Sequence, residues 1–177
     1  ALTQSGHQVD VLTDSRNKLP QKNQIYKKAK VFSFYLPKLI YKLSALSLSI
    51  PIYNKFWERK IKSQLQSNNY DVIHVHDLPL TQTAINIANK YNLKIIADFH
   101  ENRPEIMKMY KHVNSFPGKL LISVKNWLKY QEKCIQQLDN LILVTEEAKV
   151  YYEEFYKAKK GIIKVVPNYV NTDLLIN

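Results

Sequence analysis

Two apolar runs of this sequence each end in a group of histidines and carboxylates, the side chains that most often transfer protons in enzymes. The residues at these two ends are His76, Asp77, Asp98, His100 and Glu101. Because an unpaired charge is costly to bury, we expect these groups just beyond core strands and not within them. A histidine beside an acid in such a place is suited to hydrogen bonding or proton transfer, and we expect a functional role for His100.

Two other kinds of site use the same side chains. A strand would place His74 and His76 on one face, where they could share a metal ion. Imidazoles inside α/β proteins are more often hydrogen-bonded packing groups, and we therefore expect no metal. Glu101 and Glu105 could form the carboxylate pair of a glycoside hydrolase, but nothing in the sequence marks either as buried. The sequence contains no glycine-rich phosphate loop, so dinucleotide-binding and P-loop activities have no support.

The apolar runs along the whole sequence predict the strands and helices that must position these residues. Short runs rich in β-branched residues predict strands at Val9–Thr13, Val31–Leu36, Asp71–His76, Lys94–Ala97, Leu141–Val144 and Ile162–Val166. A period near 3.6 residues predicts helices at Phe56–Leu65, Thr81–Tyr91, Leu120–Leu138 and Glu146–Lys157. The second of these helices is expected to bury Ala84, Ile85, Ile87 and Ala88.

Strands and helices alternate along most of the chain, which predicts an α/β fold. Several strands are apolar on both faces, as in a parallel sheet that is covered on both sides. We therefore predict a Rossmann-like, doubly wound, mostly parallel sheet with helices on both faces. Ligands of such sheets bind at the carboxyl ends of the strands. The groups named above fall at these ends, and Thr145 and Glu146 fall at the end of Leu141–Val144.

The net charge of +11 is concentrated in one segment. Residues 21–63 contain ten basic residues and one acid, Glu58, and so carry +9 of the total. After Leu36, apolar residues recur at helical spacing with Lys38 and Lys42 opposite them, as in a helix that lies on an anionic membrane. An ordinary helix with a solvated basic face is the alternative. No nucleic-acid partner is expected, because no recognition motif accompanies the charge.

Length and composition limit the class of protein. With 177 residues the chain can bury one core and is short for two, so we expect a single domain over residues 1–177. The one cysteine, Cys134, excludes an internal disulfide and favours a reducing compartment. No stretch reaches the roughly 18 apolar residues of a transmembrane helix, and the first residues do not resemble a signal peptide. We therefore expect a cytoplasmic location.

Four stretches of the sequence match motifs of one enzyme family, in the family's order. They are ALTQSGHQVDVLT, YDVIHVHDLP, KIIADFHENRPE and IIKVVPNYVNTDLL. They resemble the first-helix exit, the Asp-Val-Ile-His-x-His strand, the Asp-x-His-Glu strand end and the Val-x-Pro-Asn-Gly-Val-Asp segment of the N-terminal domain of retaining, family-4 GT-B glycosyltransferases. The last stretch departs from the pattern, with Tyr169 in place of glycine and Asn171 in place of aspartate.

The resemblance implies an enzyme of two Rossmann-like domains, an N-terminal acceptor domain and a C-terminal donor domain. This chain is similar to the acceptor domain, and we expect the family's first strand and its donor domain to lie outside it. The enzyme would move a hexosyl group from a nucleotide-sugar to a glycan or lipid-linked acceptor of the cell envelope, with retention of configuration. The nucleotide-sugar is then a co-substrate bound mainly by the donor domain, and no cofactor is expected. The chain by itself is expected to be inactive.

The resemblance also implies roles for single residues. His100 would hydrogen-bond the donor sugar near the reacting centre, while Asp98 and Glu101 would orient the loop or contact sugar hydroxyls. The other residues expected to bind substrate are His76, Asp77, Thr145 and Glu146. Such a site needs oriented polar groups and no covalent nucleophile.

Members of the family that act on lipid-linked acceptors suggest a role for the basic segment, residues 21–63. We expect Lys38, Leu39, Lys42 and Leu43 to dock on the acceptor or on the anionic inner face of the plasma membrane, as in a peripheral membrane protein. The alternative from another class is a non-catalytic α/β module that binds a carbohydrate or a protein. A second α/β domain with paired glutamates downstream would favour the enzyme.

Overall fold

The computed structural model describes residues 2–16, 24–116 and 118–168. The chain divides into two compact units, Ala1–Ser67 and Asn68–Asn177. Each unit contains a β-sheet of its own. The single domain that we expect over residues 1–177 stays a prediction. Tyr169 and Asn171, the two departures from the family motif, lie outside the described residues.

A three-stranded sheet forms the base of the first unit. Its strands are β1 (Asp10–Ser15), β2 (Gln24–Tyr26) and β3 (Ala29–Tyr35), in the order β1-β3-β2. β3 runs parallel to β1 and antiparallel to β2. β2 was not predicted from the sequence, because its hairpin turn is made by Lys27 and Lys28 at positive φ and not by the Asn-Gly or Asp-Gly pair that marks such turns.

The described residues of the first unit also contain two helices and a 3₁₀ turn. They are α1 (Lys38–Lys42), the 3₁₀ turn Leu43–Leu46 and α2 (Ile52–Ser67). The apolar spacing after Leu36 therefore does not form one continuous helix. Serines at three positions of this stretch are weaker helix formers than the leucines around them, and Pro51 disfavours helical geometry at the residue before it.

The second unit is built on a four-stranded, fully parallel sheet. Its strands are β4 (Val72–His76), β5 (Lys94–Phe99), β6 (Asn140–Leu143) and β7 (Ile163–Val165), in that order across the sheet. Every neighbouring pair is parallel, and helices in the connections flank the sheet. The predicted α/β class with a mostly parallel sheet is confirmed.

The connections of the second unit contain six helices among the described residues. They are α3 (Thr81–Tyr91), α4 (Arg103–Met107), α5 (Lys111–Asn114), α6 (Gly118–Leu121), α7 (Val124–Ile135) and α8 (Glu146–Phe155). α3 has the predicted bounds and buries the four predicted residues, Ala84, Ile85, Ile87 and Ala88. The helix predicted over Leu120–Leu138 is divided, because the Ser123 side chain caps α7 by accepting a hydrogen bond from the Asn126 backbone N–H at 3.2 Å.

The core of the second unit lies on one face of its sheet. Alternate residues of the strands are buried there: Val75, Ile95, Ala97, Leu141, Leu143 and Ile163. Since successive side chains of a strand point to opposite faces, the residues between them lie on the other face. His74, His76 and Asp98 belong to that second group, and this fixes where the polar cluster forms.

Candidate functional site

Three imidazoles surround one carboxylate oxygen of the second unit. The Oδ2 atom of Asp98 lies 3.6 Å from His74 Nε2, 3.5 Å from His76 Nδ1 and 3.4 Å from His100 Nε2. The His74 and His76 rings are stacked with centroids 4.7 Å apart, and the His76 and His100 centroids are 6.0 Å apart. We call these four residues the histidine cluster. It brings together three of the residues predicted to act: His76, Asp98 and His100.

Strand register builds the histidine cluster. His76 is paired with Asp98 in the parallel ladder of β4 and β5, so the two side chains lie side by side on one face. His74 lies on the same face of β4, two residues earlier. His100 follows the end of β5, two residues after Asp98. The buried residues that alternate with them, among them Val75 and Ala97, anchor the strands from the opposite face.

The Asp98 carboxylate is the most buried part of the cluster, with 12% of its side chain exposed against 63% for His76 and 44% for His100. Its Oδ1 atom is buried and has no hydrogen-bond partner among the described residues. The three Oδ2 separations exceed the roughly 2.9–3.0 Å of an ordinary N–H···O hydrogen bond. Asp98 therefore lies between the three imidazoles at separations longer than ordinary hydrogen bonds.

His74 differs from the other two histidines in its electrostatics. Burial lowers the pKa of His74 below its usual 6.5, the neighbouring His76 lowers it further, and Asp98 opposes both effects. His74 is therefore neutral at neutral pH. The ligand atoms of His74, His76 and Asp98 lie within 4.8 Å of one another, close enough to hold a divalent ion. The sequence-based expectation that no metal acts here stays a prediction.

A cavity of about 420 Å³ opens beside the cluster at the carboxyl ends of β5 and β6. Its lining includes His100 and Glu101, whose predicted roles in catalysis and substrate binding stay predictions, together with nine other residues. These are Phe99, Asn102, Glu105, Leu143, Val144, Glu147, Ala148, Tyr151 and Tyr152. His100 thus belongs both to the histidine cluster and to the wall of the cavity.

A buried polar network fixes the loop that carries His100. The Gln131 side chain on α7 is fully buried, and its Nε2 donates to the Tyr152 hydroxyl at 3.0 Å and to Asn102 Oδ1 at 3.3 Å. The Tyr156 hydroxyl donates to the same Asn102 oxygen at 3.4 Å. Burial, and to a lesser degree the neighbouring Tyr156, raise the pKa of Tyr152 far above its usual value, so its hydroxyl stays protonated. The sequence analysis did not predict this network, although a glutamine between Trp127 and Ile135 on the apolar face of α7 could have indicated it.

Asp77 occupies a strained backbone conformation directly after β4. Its φ of 62° and ψ of 159° lie in a region that only glycine adopts readily. Its backbone N–H donates to the Asp98 carbonyl at 3.0 Å, and its own carbonyl accepts from the Thr81 hydroxyl at 3.1 Å. Strain of this kind persists where the surroundings hold it and is frequent at functional sites. The predicted role of Asp77 in substrate binding stays a prediction.

Thr145 and Glu146 have structural contacts at the start of α8. The Thr145 hydroxyl caps this helix by accepting a hydrogen bond from the Ala148 backbone N–H at 3.1 Å, and Glu146 lies 3.4 Å from Lys149. The cavity is lined instead by Glu147 and Ala148. Substrate binding by Thr145 and Glu146 stays a prediction.

A family model described as Glycosyltransferase Family 4 matches residues 1–174, which is nearly the whole chain. This chain belongs to glycosyltransferase family 4. The match confirms the predicted resemblance, and the four motifs on which it rested lie within the matched residues apart from the last leucine of the fourth. No curated protein sequence matches this family-4 chain.

Two solved structures show the fold that this family-4 chain adopts. It is similar to sucrose-phosphate synthase from Thermosynechococcus elongatus with a TM-score of 0.69 and 15% identity, over 98% of this chain and 41% of that one. A second structure of sucrose-phosphate synthase from the same organism gives a TM-score of 0.65 and 13% identity, over 98% and 83%. The family-4 chain spans about two fifths of the first of these structures. Together with the family match, this places it as a Rossmann-like N-terminal half of a GT-B fold.

The residues predicted to dock on an acceptor or a membrane lie in and after α1 of the family-4 chain. Lys38, Leu39 and Lys42 are exposed, Leu39 to 71%, whereas Leu43 is partly buried. α1 buries none of its residues. No helix among residues 2–16, 24–116 and 118–168 is both long and apolar enough to cross a membrane.

Proposed function

We propose that this chain is the acceptor-side domain of a retaining glycosyltransferase that moves a hexosyl group from a nucleotide-sugar to a glycan or lipid-linked acceptor. The observation that carries the proposal is the position of His100, where the histidine cluster meets the cavity at the carboxyl ends of parallel strands. Family membership supplies the reaction class. In the proposed enzyme the nucleotide-sugar is a co-substrate held mainly by a C-terminal donor domain, and no cofactor takes part.

His100 has the geometry of a positioned hydrogen-bonding group. Asp98 Oδ2 lies 3.4 Å from its Nε2, which gives the imidazole a preferred orientation, and His100 lines the cavity. In the proposed reaction His100 hydrogen-bonds the transferred sugar while the bond to the nucleotide breaks. Groups fixed in place before the reaction stabilise developing charge better than water does, because they need not reorganise.

Acids around the cavity suit a transition state with positive charge on the sugar. Glu101, Glu105 and Glu147 line the cavity, and their carboxylates would favour an oxocarbenium-like sugar over its neutral ground state. Glu101 also lies 3.5 Å from Arg103, which restrains its side chain. His76, Asp77 and Asp98 are proposed to hold the sugar hydroxyls or the loop that carries His100.

Stereochemistry and nucleotide release test the proposed reaction. The intact protein is incubated with a panel of nucleotide-sugars and acceptor extracts, nucleotide release is measured, and the anomeric configuration of the product is read by NMR. We expect acceptor-dependent nucleotide release and a product with the anomeric configuration of the donor. A product of inverted configuration would contradict the proposed mechanism.

A non-catalytic carbohydrate-binding module is the second candidate. Tyr151 lines the cavity, is 36% exposed and stacks on Phe155 with centroids 5.1 Å apart, and an exposed aromatic face is a common platform for sugars. The same assay separates the two functions. Retention of glycans by the protein, with no nucleotide released from any donor, would favour the module.

Peripheral membrane binding on the cytoplasmic side belongs to the same proposal. Lys38 and Lys42 would attract anionic lipid, while Leu39 and Leu43 would enter the interface. Co-sedimentation of the intact protein with liposomes tests this, and we expect binding to vesicles that contain anionic lipid and none to neutral vesicles. Equal binding to both, or to neither, would refute the membrane role.

A further inference from the structure

A groove of about 760 Å³ in the first unit combines aromatic rings with cations. β3 supplies Phe32 and Phe34, which are two residues apart and so lie on one face of the strand. Ile40 of α1 and two residues of α2, Ile52 and Phe56, complete the apolar lining. The polar lining consists of Lys55, Arg59, Lys60, Ser63 and Gln64. We call this feature the basic groove.

Helical spacing places the three cations on one side of α2. Lys55 and Arg59 are four residues apart, and so are Phe56 and Lys60, which makes each pair neighbours on the helix surface. Like charges at this spacing repel and weaken a helix unless an acid or a ligand offsets them. The positive charges that line the groove therefore do not stabilise α2.

None of these cations has an ion-pair partner among the described residues. Glu58, the only acid of residues 21–63, is paired with Lys62. Lys62 does not line the groove, so this pair lies apart from it. Among residues 2–16, 24–116 and 118–168, no ion pair is formed by Lys55, Arg59 or Lys60.

Aromatic contacts hold the floor of the groove in place. Lys60 Nζ lies 4.6 Å from the ring centroid of Phe34 and 5.7 Å from that of Phe56. Trp57, which is 5% exposed, packs edge-on against both rings at 6.5 Å and 5.6 Å. Gln64 adds a donor, because its Nε2 is buried without a hydrogen-bond partner within the described part of the chain.

We propose that the basic groove binds an anionic amphiphile, a phosphate ester on an apolar chain. The phosphate would contact Lys55, Arg59 and Lys60, since cations without carboxylate partners favour a multiply charged oxyanion. The apolar chain would lie against the phenylalanine rings and the two isoleucines. As the acceptor of the transfer proposed above, such a molecule would be a lipid phosphate, and this part of the inference rests on the proposed function.

A nucleotide is the competing ligand, because it also joins phosphate to a ring that stacks on phenylalanine. A base needs hydrogen bonds to its polar edge, and the groove offers only Ser63 and Gln64 as neutral polar side chains. The other non-cationic lining is hydrocarbon. The lining therefore favours an alkyl or prenyl chain over a nucleobase.

Calorimetric titration of the intact protein tests the groove. The probe is dodecyl phosphate below its micelle concentration, compared with inorganic phosphate, dodecyl maltoside and UMP. We expect dodecyl phosphate to bind at least about tenfold more tightly than each of the others, because only it engages both the cations and the apolar lining. No binding of dodecyl phosphate, or equally tight binding of UMP, would overturn the proposal.

Arg59→Gln and Lys62→Gln form a matched pair for this titration. Both remove one positive charge from α2, and both put a good helix former in place of another, but only Arg59 lines the groove. We expect Arg59→Gln to weaken dodecyl phosphate binding by at least about tenfold and Lys62→Gln by less than about twofold. If both substitutions weakened dodecyl phosphate binding equally, the net charge of the protein would explain the effect, and the proposal would be overturned. Circular dichroism checks that both variants fold.

The titration needs no turnover, so the two proposals can fail separately. A protein that binds dodecyl phosphate with the expected Arg59 dependence but releases no nucleotide would support the groove and contradict the transferase. A protein that transfers sugar but does not bind dodecyl phosphate would refute the groove alone.

Discussion

In the second unit three imidazoles surround one carboxylate, whereas in the first unit three cations of α2 line a groove without an ion-pair partner among the described residues. The histidine cluster is held by strand register, with His76 beside Asp98, and by buried residues on the opposite face of the sheet. The basic groove is lined by long side chains, of which Lys55 and Arg59 are exposed.

The contrast separates two uses of charge. Groups that surround a partly buried carboxylate have preferred positions before a ligand arrives, which suits a reacting centre. Cations without a carboxylate partner gain most when an anion arrives, which suits a binding surface. Substitutions should therefore affect turnover in the histidine cluster and affinity in the basic groove.

The largest effect is expected from His100→Ala in the intact enzyme. Removing one positioned hydrogen-bonding group should lower the transfer rate on the order of 100-fold, without changing the melting temperature, because His100 is exposed and outside the core. His7→Ala, which removes an exposed histidine of the first unit, is the control and should leave the rate unchanged. Steady-state kinetics measure both rates. A His100→Ala rate near that of the wild type would contradict the proposal that this cluster is the reacting centre.

Gln131→Leu should cost about 2 kcal/mol of unfolding free energy. The substitution leaves the buried Tyr152 hydroxyl and Asn102 amide oxygen without the donor that they share. Gln66→Leu on the exposed side of α2 is the matched change and should stay within about 0.5 kcal/mol. Urea unfolding measures both. Similar losses would mean that the loop carrying His100 is no more firmly held than the surface of α2.

Backbone strain at Asp77 predicts a smaller effect, in which glycine stabilises the fold more than alanine does. Asp77→Gly and Asp77→Ala both remove the carboxylate, but only glycine adopts φ 62° and ψ 159° without strain. We expect the glycine variant to be more stable than the alanine variant by about 1 kcal/mol. At Asp71, which does not have positive φ, the same pair should show no advantage for glycine. Thermal melts of the four variants test the difference.

The smallest predicted effect is a loss of stability on acidification. The pKa of His74 in the folded chain is lowered from 6.5, first by burial and then by His76, so below that pH the unfolded chain binds a proton that the folded chain does not. Stability should therefore fall as the pH drops from 6.5 toward the folded-state pKa.

Replacing the imidazole of His74 should weaken this pH dependence. We expect the stability difference between about pH 7.5 and about pH 5.5 to be smaller in His74→Gln than in the wild type, with His7→Gln as control. Asp98, His76 and His100 face the same imidazole and remain in every variant. An undiminished pH dependence in His74→Gln would assign the proton uptake to other groups.

Local patterns predicted the strands of the second unit and α3, but not the short helices α4 and α5 or the break between α6 and α7. The alternation of apolar strands and helices predicted the parallel sheet and the bounds of α3. The strand ends indicated that His76, Asp98 and His100 lie close together, but the expectation that all of them lie beyond the strands was wrong, because His76 and Asp98 belong to β4 and β5. The same reasoning failed where tertiary contacts decide. The sequence did not indicate that Glu147 lines the cavity, because which residues of the first turn of α8 face the cavity depends on how the helix packs.

The first unit shows the other limit of sequence reasoning. The excess of basic residues was plain, but Lys55, Arg59 and Lys60 are distinguished from Lys62 only by the packing of α2 beside β3. Phe32 and Phe34 belong to a predicted strand, and nothing in their spacing indicates a groove. The hairpin through Lys27 and Lys28 carried no turn signal at all.

A double-substitution cycle on Asp98 and His100 tests most directly whether the histidine cluster acts as one reacting centre. Transfer rates of the intact enzyme are compared for Asp98→Asn, His100→Ala and the combined variant. Because Asp98 is proposed to act by orienting His100 at 3.4 Å, the combined variant should be about as slow as the slower single variant. A combined loss equal to the product of the two single losses would show that the residues act independently and would contradict the account.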